Sequence, residues 1–183
     1  EVIDGGSIFE FDSQGGLLSN IKSDWNSPFK ELEQYVDDDA LDRSKTNEQS
    51  AVIVAHVNGK EILLPGDAVP SKLSEALDYY RKGEMAHFDL IKLPHHGSYK
   101  NITQDILSKI ECSEYVVSTD GSKFCHPNKK MMMKIIKWSK KKEGSVMKFH
   151  LNYYDDLIKK MNISESDSKT YKFECDGKRT FEF

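Results

Sequence analysis

Side chains that can bind a metal ion or move a proton follow three successive apolar runs of this 183-residue chain. Asp67 comes just after the first run, the adjacent pair His95 and His96 follows the second, and His126 lies just past the third. Carboxylates and neutral imidazoles are common metal ligands, and imidazole also titrates near neutral pH. Because ligands of α/β folds gather at the carboxyl ends of strands, the pattern predicts one metal-assisted or acid–base site at a single sheet edge.

Each of these segments, taken alone, also has an ordinary structural explanation. A Gly-Asp pair such as Gly66-Asp67 is typical of a turn, and His126-Pro127 is a common loop dipeptide. An adjacent histidine pair followed by Gly-Ser, by contrast, rarely has a packing reason. The functional interpretation therefore depends on the three segments occurring together.

The elements that must position these residues can be read from apolar spacing and turn residues. Strands are predicted at 51–57, 61–64, 88–93, 115–118, 146–151, 170–175 and 179–183. Helices are predicted at 28–36, 71–80, 102–110 and 129–142, the first with Ser27 as its cap and the third with Asn101 or Thr103 near its cap. Residues 37–50 are expected to form an exposed loop, and the alternation of strand and helix predicts an α/β layer.

The charge distribution limits the classes of partner. With 30 acidic and 26 basic residues the formal charge is −4, which argues against a protein that binds nucleic acid through net charge alone. Residues 31–42 carry acids without bases, whereas residues 123–148 hold nine lysines and one acid. The lysine run fits either a solvated helix face or an electropositive rim beside a phosphate-handling site.

Other features bear on the setting of the chain. No apolar run approaches the roughly 18–20 residues of a membrane span, so no membrane segment is expected. Three widely spaced cysteines favour a reducing compartment over a disulfide framework, and we expect a cytoplasmic protein. The chain begins at Glu1 without an initiator methionine, which predicts a piece of a longer protein.

Four segments together resemble one lineage of the metallo-β-lactamase fold, the hydrolase domain of competence-type DNA-uptake (ComEC-like) proteins and their stand-alone relatives. These segments are 47–50 (NEQS), 62–68 (ILLPGDA), 89–98 (DLIKLPHHGS) and 118–127. The resemblance covers only the second half of that fold. It implies the C-terminal half of an αββα sandwich at 47–183, with a mixed sheet flanked by helices. Residues 1–46 would be a connecting segment with one short helix and an acidic loop.

The resemblance also implies roles for the four candidate residues. Asp67 matches the carboxylate that bridges two metal ions, and His96 matches a ligand of the second ion. His95 resembles a residue that contacts substrate or shuttles a proton, and His126 matches a His-Pro element that faces substrate or the leaving group. The implied cofactor is a pair of divalent ions, zinc or manganese, and the implied substrate is a phosphodiester or a nucleic acid.

The chain departs from that lineage because the H-x-H-x-D-H cluster, which supplies most metal ligands, is absent. The first hypothesis is therefore the C-terminal part of a phosphodiester hydrolase, which needs the N-terminal half of the same protein and binds metal weakly without it. The second is a binding or regulatory module that has kept the fold and lost catalysis. Under either hypothesis the isolated chain is expected to be inactive.

Overall fold

The computed structural model describes residues 7–11, 17–37 and 40–183. Its strands are β1 (Ser7–Phe11), β2 (Leu17–Lys22), β3 (Ile53–Val57), β4 (Lys60–Leu64), β5 (Ala86–His87), β6 (Leu90–Lys92), β7 (Ile110–Glu111), β8 (Glu114–Val117), β9 (Met147–Leu151) and β10 (Phe173–Asp176). Its α-helices are α1 (Phe29–Leu32), α2 (Pro70–Arg81), α3 (Gln104–Ser108), α4 (Lys129–Trp138), α5 (Tyr154–Lys160) and α6 (Glu165–Tyr171). Parts of the predicted connecting segment 1–46 and of its acidic loop, at 1–6, 12–16 and 38–39, lie outside the described residues.

The main sheet has six strands in the order β10-β9-β8-β6-β4-β3. The β3–β4 pair is antiparallel, and every other pair in this sheet is parallel. The antiparallel pair turns at Asn58 and Gly59, both with positive φ (48° and 77°), as the Asn-Gly signal predicts. The prediction of an α/β fold with a mixed sheet flanked by helices is confirmed.

One face of this sheet forms the core of the protein. The register aligns Leu63, Ile91, Tyr115 and Phe149 in a row across four neighbouring strands, and each is at most 2% exposed. These side chains belong to one buried cluster with apolar residues of α2, α3 and α4. Because side chains alternate along a strand, the residues between them point to the opposite face.

Residues 24–27, which precede the main sheet, are held to the start of α4 by hydrogen bonds of charged side chains. Asp24 accepts hydrogen bonds from the backbone N–H groups of Lys129 and Lys130 (3.0 and 2.7 Å), which satisfies the start of the helix. The buried ammonium of Lys129 donates to the carbonyls of Trp25 and Ser27 (3.3 and 2.7 Å). The lysine-rich helix is therefore not a uniformly solvated face.

Several predicted boundaries of the early elements need correction. The first helix has no side-chain cap from Ser27, whose carbonyl instead accepts from Lys129. It is α-helical only over Phe29–Leu32 and continues as a 3₁₀ turn. The loop predicted at 37–50 contains a short 3₁₀ helix, Asn47–Gln49. The helix predicted at 102–110 is confirmed as the shorter α3, and the Thr103 hydroxyl does cap it.

The C-terminal region differs most from the prediction. Helix α4 ends at Trp138 because Ser139 is extended, and α5 and α6 are additional helices. A reciprocal capping box between Ser164 and Asp167 starts α6, so the strand predicted at 170–175 begins only at Phe173. Residues 179–183 form no strand, and Phe181 packs edge-on against His150 (5.0 Å between ring centroids).

Candidate functional site

The three candidate segments follow β4, β6 and β8, which are neighbouring parallel strands of the main sheet. Their carboxyl ends therefore lie at one edge. The loops are in direct contact, because the His95 N–H donates to the Gly66 carbonyl (3.0 Å) beside Asp67. The His95 ring lies 6.3 Å from that of His96 and 5.4 Å from that of His126, measured between centroids. The structure thus places the three histidines in one cluster, with the Asp67 loop beside them.

The histidine loop has an unusual backbone. His95 and His96 both occupy the left-handed region (φ 45° and 56°), where residues other than glycine are uncommon. Gly97 follows at φ 89°, and its carbonyl accepts from the Asn128 N–H (3.0 Å). A Cβ atom at Gly97 would lie 2.8 Å from Cβ of Pro127, so the two histidine-bearing loops approach closely only because this residue is glycine. Backbone strain of this kind is frequent at functional sites.

The orientation of His96 is set by one short hydrogen bond. Its Nδ1 lies 2.6 Å from the Ser118 carbonyl oxygen, which can only accept. Nδ1 therefore carries the proton and donates it, and Nε2 is left with a free lone pair. Metal-binding histidines typically have this arrangement, in which the second ring nitrogen donates to a carbonyl. His96 fits the role of a metal ligand through Nε2.

His95 is held differently, by a carboxylate that the sequence did not mark as functional. Asp42 lies 3.3 Å from Nδ1 of His95 and accepts hydrogen bonds from the side-chain amides of Asn47 (2.7 Å) and Asn101 (2.9 Å) and from the Ser44 N–H (2.9 Å). Burial raises the pKa of Asp42, but these donors outweigh it, so the net pKa is lowered. An ionised Asp42 therefore orients His95 through Nδ1.

His126 is a partly buried member of the cluster. Its Nδ1 is buried and has no hydrogen-bond partner among the described residues. Burial, together with the neighbouring His95 and His96 and with Lys100, lowers the pKa of His126 to about 3. His126 is consequently a neutral imidazole at neutral pH, and it adds no positive charge to the cluster.

Asp67 and Lys92 are both partly buried, and their charges interact. Burial lowers the pKa of Lys92, and the negative charge of Asp67 opposes that shift. Within residues 7–11, 17–37 and 40–183, no three His, Cys, Asp or Glu side chains are grouped so that they could hold a metal ion. Asp67 and His96, the predicted metal ligands, therefore belong to no such group among the described residues.

Comparison of the chain with protein-family models, with curated proteins and with solved structures found no match in any of the three. No helix in the described part of the chain is both long and apolar enough to cross a membrane. The interpretation of the site therefore depends on its own geometry.

Sequence reasoning pointed to the histidines but not to the groups that hold them. Asp42 was visible only as one member of an acidic run, and Asn101 only as a possible helix cap. A signal did exist in Asn47, which belongs to the NEQS segment and contacts both Asp42 and Nδ1 of His95 (3.4 Å). Asp42 lies 53 residues from His95 and 59 residues from Asn101 in the chain, so no local sequence pattern could pair them.

Proposed function

We propose that this chain is the C-terminal part of a metal-dependent hydrolase that cleaves phosphodiesters, including those of nucleic acid. The observation that carries the proposal is the tautomer of His96, which leaves Nε2 free to bind a metal ion in a cluster of three imidazoles. Asp67 lies on the adjoining loop and would supply the anionic ligand.

The ligand chemistry fits a divalent cation such as zinc or manganese. Carboxylate oxygen and neutral imidazole nitrogen are ligands for both, and the neutral His126 does not repel a cation. When bound, such ions polarise phosphate oxygens and lower the pKa of a bound water. Because Asp67 and His96 cannot close a four-coordinate site, the remaining ligands would come from an N-terminal half of the same protein.

The chain's own acid–base group is His95. The carboxylate of Asp42 at Nδ1 orients the ring, so Nε2 is the nitrogen that exchanges a proton. In the proposed reaction water adds to phosphorus, the P–O bond to the leaving alkoxide breaks, and the imidazolium form of His95 donates its Nε2 proton to that alkoxide. His126, 5.4 Å from His95 between ring centroids, forms the neutral wall beside it.

Exposed apolar side chains at the β3–β4 edge of the main sheet support the proposal of a further half. Ile53 and Leu64 are register partners on the face opposite the buried row and are 53% and 37% exposed. Val57, on the same face, is also exposed. Ile62 and Leu90 on the same face are buried, so the exposed apolar side chains are confined to this edge. A second sheet packed here would complete the αββα sandwich that the sequence resemblance implies.

The test of this proposal supplies the N-terminal half of the protein. The intact gene product, or this chain co-expressed with its upstream part, should hydrolyse a model phosphodiester in the presence of Mn²⁺ or Zn²⁺. The variants Asp67→Asn and His96→Ala should lower the rate at least ~10²-fold, whereas His87→Ala, which removes an exposed surface histidine, should leave it unchanged. Unchanged rates in both site variants would overturn the proposal.

A second candidate is a catalytically inactive module of the same fold. The specific observation in its favour is that the described residues contain no group of three metal-ligating side chains. If the intact protein retains metal-independent ligand binding but shows no turnover, this alternative replaces the first.

A further inference from the structure

A cleft of about 330 Å³ opens beside the histidine cluster. Residues of three loops line it: the loops that follow β6, β8 and β9. They are His96, Ser118, Thr119, Asp120, Lys123, Phe124, His126, Asn152 and Tyr153. Two imidazoles of the candidate site and two aromatic residues thus line the same cleft.

Both aromatic residues of the cleft are accessible to a ligand. Tyr153 is 47% exposed, so part of its side chain is free to contact one. Phe124 is half-buried, and its ring lies 6.1 Å from that of His126 between centroids. A flat ligand group on the Phe124 ring would therefore lie next to the imidazole of His126.

Cations are placed over these rings. The ammonium of Lys123 lies 5.0 Å from the ring centroid of Phe124, and the guanidinium of Arg179 lies 5.9 Å from that of Tyr153. Asp120 is an opposing charge at the rim; its carboxylate accepts from the N–H and hydroxyl of Ser122. The cleft thus combines aromatic side chains with positive charges nearby, which is the combination that single-stranded nucleic-acid sites use.

Asn152 adds a polar group of fixed orientation. Its Oδ1 accepts a hydrogen bond from the Thr119 N–H (2.9 Å), which leaves the NH₂ group to donate to the edge of a ligand. An oriented donor next to aromatic faces suits a heterocyclic ring with carbonyl or ring-nitrogen acceptors.

We propose that this cleft binds one unstacked nucleobase, with its ring on Tyr153 and Phe124 and its phosphate toward His96. The inference rests on the proposed function for the identity of the group at His96, and it adds the substrate class, a single-stranded nucleic acid or a frayed end. The volume is at the small end of ligand pockets and is enough for one base. A paired base would have to leave its stack to enter.

The binding test uses this chain and three probes of equal length and phosphate number: a single-stranded oligothymidylate, an abasic strand and a duplex. Calorimetric titration should show the single strand binding at least ~10-fold more tightly than the abasic strand and the duplex, since stacking on an aromatic ring is worth that factor or more per base. Equal affinity for the single and abasic strands would overturn the proposal, because phosphates alone would then account for binding.

Substitutions of the two aromatic residues test where the base binds. Tyr153→Leu should weaken single-strand binding ~10-fold and leave abasic binding unchanged, whereas Tyr153→Phe, which keeps the ring, should bind like the wild type. Tyr79→Leu is the control, because Tyr79 is 88% exposed on α2, outside the cleft. Circular dichroism checks that the variants are folded. If Tyr153→Leu and Phe124→Leu are folded and both bind normally, the inference is wrong.

These outcomes separate the inference from the function on which it rests. Base-dependent binding by a restored protein that hydrolyses no phosphodiester would overturn the hydrolase and keep the base-binding cleft. If hydrolysis depends on Asp67 and His96 but is unchanged in the Tyr153 and Phe124 variants, the hydrolase is kept and the base-binding cleft is overturned.

Discussion

The carboxylate of Asp42 lies 3.3 Å from Nδ1 of His95, between loops that are 53 residues apart in the chain. Its side chain is only 11% exposed, so this pairing is largely shielded from water. The amide nitrogen of Asn47 also approaches Nδ1 of His95 (3.4 Å) but can only donate hydrogen bonds, whereas the carboxylate can only accept them. Two neighbours therefore favour opposite tautomers of His95, and the carboxylate is the closer of the two.

The first prediction follows from this competition. In Asp42→Ala the donor left beside Nδ1 is the Asn47 amide, so neutral His95 should change from the Nδ1–H to the Nε2–H tautomer. Imidazole ¹⁵N chemical shifts measure this directly, without any need for turnover. Asp89→Ala, which removes a carboxylate with three donors elsewhere, should leave the His95 signals unchanged. An unaltered tautomer in Asp42→Ala would contradict the assignment of Asp42 as a positioning residue.

A double variant tests whether the Asn47 amide competes for Nδ1 of His95. Removing the competing amide as well, in Asp42→Ala/Asn47→Ala, should return part of the Nδ1–H population. Since buried Asp42 accepts several hydrogen bonds, Asp42→Ala should also lower the free energy of unfolding by about 1–3 kcal/mol. Urea unfolding followed by circular dichroism checks this figure and shows whether the tautomer was measured on folded protein.

The second prediction concerns acid stability and Asp89, the first residue of the segment that bears the histidines. Asp89 accepts from the Glu61 N–H (3.0 Å) and from the ammonium groups of Lys60 (3.3 Å) and Lys142 (2.7 Å). Burial raises its pKa, but these donors outweigh burial and lower the pKa from 3.8 to about 2. Because the folded pKa lies below the unfolded value, this stabilisation is present above about pH 5 and declines as the pH falls toward 2.

Asp89→Asn should therefore cost more stability at neutral pH than in acid. We expect a loss of about 1–2 kcal/mol at pH 7, discounted for the half-exposed lysines, and a loss smaller by up to ~1 kcal/mol at pH 3. Urea unfolding at the two pH values provides the measurement. Glu75→Gln, which breaks an exposed pair with Lys72, is the control and should change stability little at either pH. A pH-independent effect of Asp89→Asn would contradict the ion-pair account.

The sequence was most informative where the relevant physics is local. Alternating and continuous apolar runs located β3, β4, β6, β8 and β9, and the Asn58-Gly59 turn fixed the β3–β4 hairpin. Because successive parallel strands end at one sheet edge, the proximity of the Asp67 loop to His95 could also be predicted.

The elements that the sequence did not predict have two physical causes: some have little apolar patterning of their own, and others depend on contacts between distant segments. The hairpin of β1 and β2 has weak apolar patterning, and α6 owes its start to a capping box rather than to an apolar face. Residues 179–183 have strand-like composition, yet Phe181 packs on the His150 ring instead of pairing with a strand. In the candidate site, Asp42 reaches His95 only through tertiary structure.

The third prediction tests the close approach of the two histidine-bearing loops. Gly97→Ala combines a backbone penalty at φ 89° with a Cβ placed 2.8 Å from Cβ of Pro127. Gly144→Ala is a matched control, because Gly144 has a similar φ of 74° with nothing within 4 Å of the added Cβ. The control should cost about 1–2 kcal/mol from backbone strain alone, and Gly97→Ala should cost at least ~1–2 kcal/mol more. Equal losses in urea unfolding would show that the loops separate freely.

The fourth prediction is that this chain alone binds zinc only weakly. Asp67 and His96 provide two ligands where a closed zinc site has four, so the affinity should be weaker than ~1 µM, below that of structural zinc sites. Calorimetric titration at neutral pH should show His96→Ala and Asp67→Ala each reducing the binding further. His87→Ala should not, although His87 and Glu111 form an exposed pair (3.0 Å) that could hold zinc nonspecifically. Tight binding of two ions by the wild-type chain would mean that further ligands exist in the chain, and the requirement for an N-terminal half would then fall.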